Sequence, residues 1–291
     1  MSRILSVTSE CVPLVKTGGL ADVAGALPGA VQPEGWDMRT LLPGYPSVMA
    51  KAKRGRVVMT EPDLFGGPGR VVSAKVAGLH LYVLDAPHLF DRAGSPYLDA
   101  NGRDFADNAE RFAALSWVAA RIATEGLGKW RPTILHCHDW QAGFAPYYLK
   151  QAGSDCRSIM TIHNIAFQGV TGADRIEALR LSRSDYNDDG LEYWGKLSAL
   201  KAGLVYADRI TTVSPTYAAE LQTPEFGMGL DGLLRAREAD FSGILNGIDM
   251  EVWNPATDPE IAPYKSASGK TRAKKALRAE FGLSDSDGPL C

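Results

Sequence analysis

Lysine, glycine and aspartate stand together at residues 16–23, Lys-Thr-Gly-Gly-Leu-Ala-Asp-Val, just after an apolar run at residues 4–7. The run reads as a buried strand ending near Thr8, and the segment from Ala21 as the opening of a helix. Gly18 and Gly19 would let backbone approach a ligand with no side chain between them. A helix N-terminus beyond such a turn presents free N–H groups and partial positive charge, which suit a phosphate or diphosphate. Lys16 adds a full charge beside it. The spacing is neither Gly-x-Gly-x-x-Gly nor the Walker loop. An ordinary strand-to-helix turn with a surface lysine can have the same eight residues, so the motif alone leaves both readings open.

Two further clusters fall at strand ends. His136-x-His138 puts two rings on one face of a strand, as metal sites do. A third and fourth ligand would have to come from His163 and carboxylates, and no metal site is expected. The preferred reading packs His136 under the loop and leaves Asp139 to reach a ligand, with Trp140 in the core. His163-Asn164 ends another strand; a histidine there is more often structural than catalytic, but a place on the same rim as Lys16 and Asp139 leaves the structural and functional readings balanced. Tyr97, in the turn Ser95-Pro96-Tyr97-Leu98-Asp99, could stack on a sugar face or anchor a surface loop. Ser268-Gly269-Lys270-Thr271 imitates the end of a Walker loop, but Tyr264 stands where that motif needs glycine. It reads as a solvated helix start.

These residues need a scaffold that brings them to one edge. Strands are predicted at residues 3–8, 38–42, 133–137, 158–162, 209–213 and 241–245, with a hairpin at 71–76 and 79–84. Helices are predicted at 22–31 (bent or shortened by Pro28), at 107–124, from about 141, at 196–207, from Ser214-Pro215 and at 229–238. Alternation of this kind predicts an α/β fold, a doubly wound, mostly parallel sheet covered on both faces. Ligands of such sheets bind beyond the carboxyl ends of the strands, where residues 16–19, 136–140, 163–164, 214–215 and 246–247 would converge. After Asn246 the character changes to a linker-like run at 253–259 and a basic, amphipathic segment at 270–281. The expected division is a domain at 1–250, then a linker and the opening of a second domain at 251–291.

The totals agree with a globular chain of two parts: 291 residues, 45% hydrophobic and 22% charged. A net charge of −3 gives no reason to expect nucleic acid or an anionic membrane as partner. Cys11, Cys137, Cys156 and Cys291 show no Cys-x-x-Cys spacing, which points to a reducing cytoplasm. The N-terminal apolar run is too short for a signal peptide, and no stretch is long enough to span a membrane.

The ordered set of motifs resembles the bacterial glycogen synthases and plant starch synthases. It comprises Ser9-Glu10, residues 13–23, Leu42-Pro43-Gly44-Tyr45-Pro46, Ser95-Pro96-Tyr97, His136-Cys137-His138-Asp139-Trp140, Thr161-Ile162-His163-Asn164, Val213-Ser214-Pro215-Thr216-Tyr217, Glu225-Phe226-Gly227-Met228-Gly229 and Asn246-Gly247-Ile248-Asp249. The resemblance implies a two-domain GT-B glycosyltransferase with a Rossmann-like N-terminal domain. Such an enzyme moves glucose from ADP-glucose to the non-reducing 4-hydroxyl of an α-1,4-glucan with retention, without metal or other cofactor. It implies that Lys16, Gly18 and Gly19 face the diphosphate and the transferred sugar, with Asp22 in the same motif. By the same resemblance Asp139 and His163 line the glucose site as catalytic residues, Asn164 and Asn246 lie nearby, and Tyr97 belongs to the same cleft. The family's second domain would supply most adenosine contacts, a basic pair near the phosphates and a glutamate motif, none of which is present by residue 291. Turnover by this chain alone is therefore not expected. The alternative is a non-catalytic glucan-binding or regulatory module derived from the enzyme.

Overall fold

A computed structural model describes residues 2–284 and 288–290; Cys291 lies outside the described residues. The chain divides into a larger unit ending at Leu245 and a smaller one beginning at Asn246. The sequence reading put that boundary after residue 250.

The larger unit is built on one sheet. Its strands are β1 (Ser2–Val7), β2 (Trp36–Pro43), β3 (Arg56–Glu61), β4 (Gly69–Val76), β5 (Leu79–Asp85), β6 (Ile134–His138) and β7 (Arg157–Ile162). A separate three-stranded sheet holds β8 (Val170–Gly172), β9 (Glu192–Tyr193) and β10 (Lys196–Ser198), after which β11 (Arg209–Thr212) and β12 (Phe241–Gly243) return to the main one. The main order is β12-β11-β7-β6-β1-β2-β5-β4-β3. Every pair from β12 to β5 is parallel, and β4 and β3 are antiparallel additions at one edge. This is the doubly wound α/β sheet that the alternation predicted.

Central strands are near-continuous apolar runs because both faces are largely covered. Leu5, Val7, Leu41, Leu135 and Cys137 are fully buried, and Phe112, Leu115, Val118, Ala119 and Ile122 from the Asn108–Glu125 helix join them in one core. Those five helical residues are the stripe whose 3.6-residue spacing marked the helix.

Three local predictions change. The Leu20–Val31 helix is not shortened by Pro28, which lies inside it, and it starts slightly earlier than expected. Residues 196–198 form β10 rather than helix; Ser198 then caps the Ala199–Tyr206 helix, its Oγ accepting from Lys201 N at 3.1 Å. Strand β3 was not anticipated, since a bulge between Val57 and Met59 breaks the two-residue alternation that would have marked it.

From β1 the chain moves one way to β2 and β5, and later the other way to β6, β7, β11 and β12. The crevice between the carboxyl ends of β1 and β6 is thus the topological switch point. Residues 8–10 follow β1 there, and Asp139 follows β6. The second unit carries one regular helix, Lys270–Glu280, preceded by a 3₁₀ turn at Ala267–Gly269.

Candidate active site

The loop after β1 is folded around a buried acid. Glu10 is 3% exposed. Its Oε2 accepts from the amides of Thr17 and Gly18, the latter at 3.2 Å, and its Oε1 accepts from Thr17 Oγ1 and Tyr97 Oη, both at 2.5 Å. Two amides of the glycine loop are therefore already engaged. Those of Gly19 and Leu20, at the N-terminus of the Leu20–Val31 helix, make no hydrogen bond with the described residues. A Cβ placed on Gly18 or Gly19 meets nothing within 4 Å, and φ at Gly19 is −67°. Neither packing nor backbone demands glycine at these positions.

Lys16 is not free. Its Nζ donates to both carboxylate oxygens of Asp22, at 2.8 and 2.7 Å, and both side chains are about half exposed. An exposed pair of this kind is worth about 0–1 kcal/mol, so an arriving anion displaces it cheaply.

Across the switch point, Asp139 has φ 53° and ψ −174°, a region that costs a non-glycine residue about 1–3 kcal/mol. Two bonds hold it there: Oδ1 accepts from His163 N at 2.7 Å and Asn164 N at 3.4 Å. Its own amide donates to Thr161 O at 2.9 Å. Burial pushes its carboxyl up to about 7; the charge of Glu10 acts in the same direction, and the two amides oppose both.

Three imidazoles lie beside it. His138 is fully buried, its Nε2 3.2 Å from Ser6 Oγ and its Nδ1 3.0 Å from His163 Nε2. His136 stacks on His138 with ring centres 4.2 Å apart and shares a 2.7 Å bond with Thr161 Oγ1, which in turn meets Thr211 Oγ1 at 2.7 Å. Burial pushes His136 and His163 down to about 4 and His138 well below 6.5. All three are neutral near pH 7. Among the described residues no group of three His, Cys, Asp or Glu side chains is arranged to hold a metal ion.

The structure gathers Lys16, Gly18 and Gly19 on the loop that Glu10 anchors, Asp22 in the first turn of the helix that follows, and Asp139, His163 and Asn164 on adjoining strand ends. Tyr97 is half-buried, with its hydroxyl turned inward to Glu10 and to Ser9 Oγ at 2.8 Å. Arg111 supports that turn by donating to Pro96 O at 3.0 Å. Asn164 is exposed and its Oδ1 accepts from Ala166 N. Asn246 is exposed and opens the second unit; the rim of the first unit is built without it. Trp140 is half-buried against Phe112 and flanks a cleft of about 530 Å³. Sequence reasoning missed Glu10, Ser6 and the bond between His138 and His163. Glu10 entered the sequence reading only as part of the Ser9-Glu10 motif with no role assigned; an acid placed just beyond a buried strand was the further signal for it.

Fold and rim together define a doubly wound α/β domain whose polar groups collect at its switch point. The chain belongs to the family of starch synthase catalytic domains, whose model matches residues 3–236. It is 58% identical to a glycogen synthase of Paracoccus denitrificans over 292 aligned residues, covering 100% of this chain and 61% of that protein. A glycogen synthase of a Jannaschia species gives the same identity and coverage. Among solved structures, the catalytic domain of starch synthase IV from Arabidopsis thaliana, bound to ADP and acarbose, superposes with a TM-score of 0.77 at 29% identity, over 99% of this chain and 60% of that one. The chain thus spans about three-fifths of the relatives it matches.

Proposed function

We propose that these residues are the N-terminal, acceptor-side part of a glycogen synthase, an ADP-glucose-dependent glycosyltransferase that elongates an α-1,4-glucan with retention. Residues 1–250 are the catalytic N-terminal domain in this reading, and 251–291 begin the way to a nucleotide-binding domain. The carrying observation is the Glu10 knot. It ties the glycine loop to the same switch point at which Asp139 and His163 meet, close enough for its charge to be felt by Asp139.

The chemistry fits these groups. As the glycosyl bond breaks, positive charge grows on the sugar and negative charge on the departing diphosphate. Lys16 turns from Asp22 to the diphosphate, joined by the amides of Gly19 and Leu20. Asp139 and the main chain at His163 face the sugar, with Asn164 beside them and Asn246 expected nearby. Tyr97 serves the cleft by holding Glu10. Glu10 has its oxygens taken by four donors, which disqualifies it as a nucleophile, and retention without a covalent carboxylate intermediate departs from the glycosidase scheme. The cleft beside Trp140, with Asp104, Asn108, Phe167, Gln168 and Tyr193 on its wall, offers ring faces and hydrogen-bonding groups to the glucan acceptor. Cys11, Cys137 and Cys156 are buried free thiols, which suits a reducing cytoplasm. No described helix is long and apolar enough to cross a membrane.

The test is a fusion in which the C-terminal remainder of the Paracoccus relative completes this chain. It should elongate glycogen from ADP-glucose, and Lys16→Ala should lower kcat/KM by about 10²-fold, the scale of one lost oxyanion contact. A folded fusion that is retained on glycogen but transfers no glucose would overturn the reading in favour of a binding module.

A further inference from the structure

We propose that Ser6 and His138 are positioning residues that set the tautomer of His163, so that its Nδ1–H is presented at the rim as a hydrogen-bond donor. The proposal deepens the glycosyltransferase reading and rests on it for the identity of the oxygen that accepts.

The argument is an account of protons. Ser6 on β1, His138 at the end of β6 and His163 just beyond β7 form a row across three adjacent strand ends. A neutral imidazole has one donor and one acceptor nitrogen, so the row can be wired in two ways. In the first, Ser6 Oγ–H donates to His138 Nε2, His138 Nδ1–H donates to His163 Nε2, and His163 carries its proton on Nδ1. In the second every direction is reversed, and His163 Nδ1 is a bare acceptor.

Ser6 decides between them. It is 1% exposed, and its hydroxyl has no partner but His138 among the described residues. The reversed wiring leaves the Ser6 hydroxyl hydrogen buried without an acceptor, which costs about 1–3 kcal/mol. The first wiring pairs every proton inside the row and leaves unpaired only His163 Nδ1–H at its outer end, where the residue is half-buried rather than sealed. A doubly protonated His138 is excluded by its full burial beside a second ring, His136, with no carboxylate bonded to either. His163 Nδ1 makes no hydrogen bond with the described residues, so its donor is free for a ligand. The main chain of His163 is fixed independently by Asp139.

Long-range ¹H–¹⁵N spectra of the labelled 291-residue chain distinguish protonated from bare ring nitrogens. Protonated Nδ1 and bare Nε2 are expected on both His138 and His163. Protonated Nε2 on His163 would overturn the proposal. Ser6→Ala should turn the single His163 tautomer into a mixture; an unchanged spectrum would also overturn it. In the completed fusion, His138→Asn, whose side-chain amide can stand in for Nδ1–H, should retain most activity. His138→Leu should lose about tenfold in kcat/KM, the worth of one misdirected hydrogen bond. Equal loss in both variants, with folded melting curves, would argue against tautomer control. ADP-glucose added to the completed fusion, labelled in the same way, separates the two claims: the expected tautomer with unshifted His163 signals leaves the wiring standing and removes the sugar-nucleotide reading.

Discussion

Gly19 is the simplest residue at which fold and function separate. It has an ordinary helical φ, and the space where a Cβ would go is empty. Gly19→Ala should therefore leave the chain as stable as before, or raise its stability by about 0.4–1 kcal/mol through the unfolded state. The same methyl would stand in front of the Gly19 and Leu20 amides. Under the proposed function, the affinity of the completed fusion for ADP-glucose, measured by calorimetry, should fall about tenfold, the scale of one hydrogen bond lost. Unchanged affinity would move the diphosphate elsewhere. Asp139 could be picked out in the sequence because it stands directly beyond an apolar strand, and Lys16, Gly18 and Gly19 because their residue types lead into a helix in the loop after one. Glu10 could not be interpreted there, since its partners lie 7 and 87 positions away. The pairing of His138 with His163 was hidden for the same reason, and His138 was weighed only as half of a metal pair that the reading set aside.

Elements were legible where their period was clean. The Asn108–Glu125 helix and the parallel strands follow from spacing alone, and the switch point follows from their alternation. The misses have physical causes. Strand β10 is three residues long and runs directly into a helix, so its pattern merged with the helical one. Strand β3 carries a bulge that shifts its register. Arg111 illustrates how one element steadies another. It is 1% exposed, sits among Phe90, Phe105 and Phe112, and donates to Leu89 O, Pro96 O and Asn108 Oδ1. Arg111→Gln should cost about 1–3 kcal/mol in urea unfolding, because buried carbonyls lose a charged donor. It should also loosen the Tyr97 turn, seen as faster amide exchange at residues 95–98. A purely local packing defect would leave that exchange alone.

For the whole molecule, the buried groups fix how stability follows pH. The folded values of His136 and His163 are about 4, and that of His138 lies well below 6.5. As pH falls below about 6.5, the unfolded chain takes up protons that the folded chain refuses, and stability is lost. Asp139 acts in the opposite direction. Its folded value is about 7 against 3.8, so the folded chain holds an extra proton between them, and stability falls as pH rises through that window. At pH 7 three unfolded imidazoles still bind about 0.7 proton against about 0.5 on folded Asp139, so the imidazoles outweigh the carboxyl up to that pH. The melting temperature should therefore rise with pH from about 5 and level off above about pH 7. Asp139→Asn should steepen that rise between about pH 5 and 7, because the opposing proton is gone; an unchanged slope would overturn the raised value of Asp139.

A broad sheet also has flanks, and β3 forms one of them. Its outward backbone groups could in principle recruit a strand from another molecule. The kink between Val57 and Met59 interrupts that template, Arg56 and Glu61 place charge at its two ends, and Glu61 is tied back by Arg121. A flank so interrupted and charged is a poor template for a further strand, which marks β3 as the side on which the sheet is closed to edge-to-edge growth.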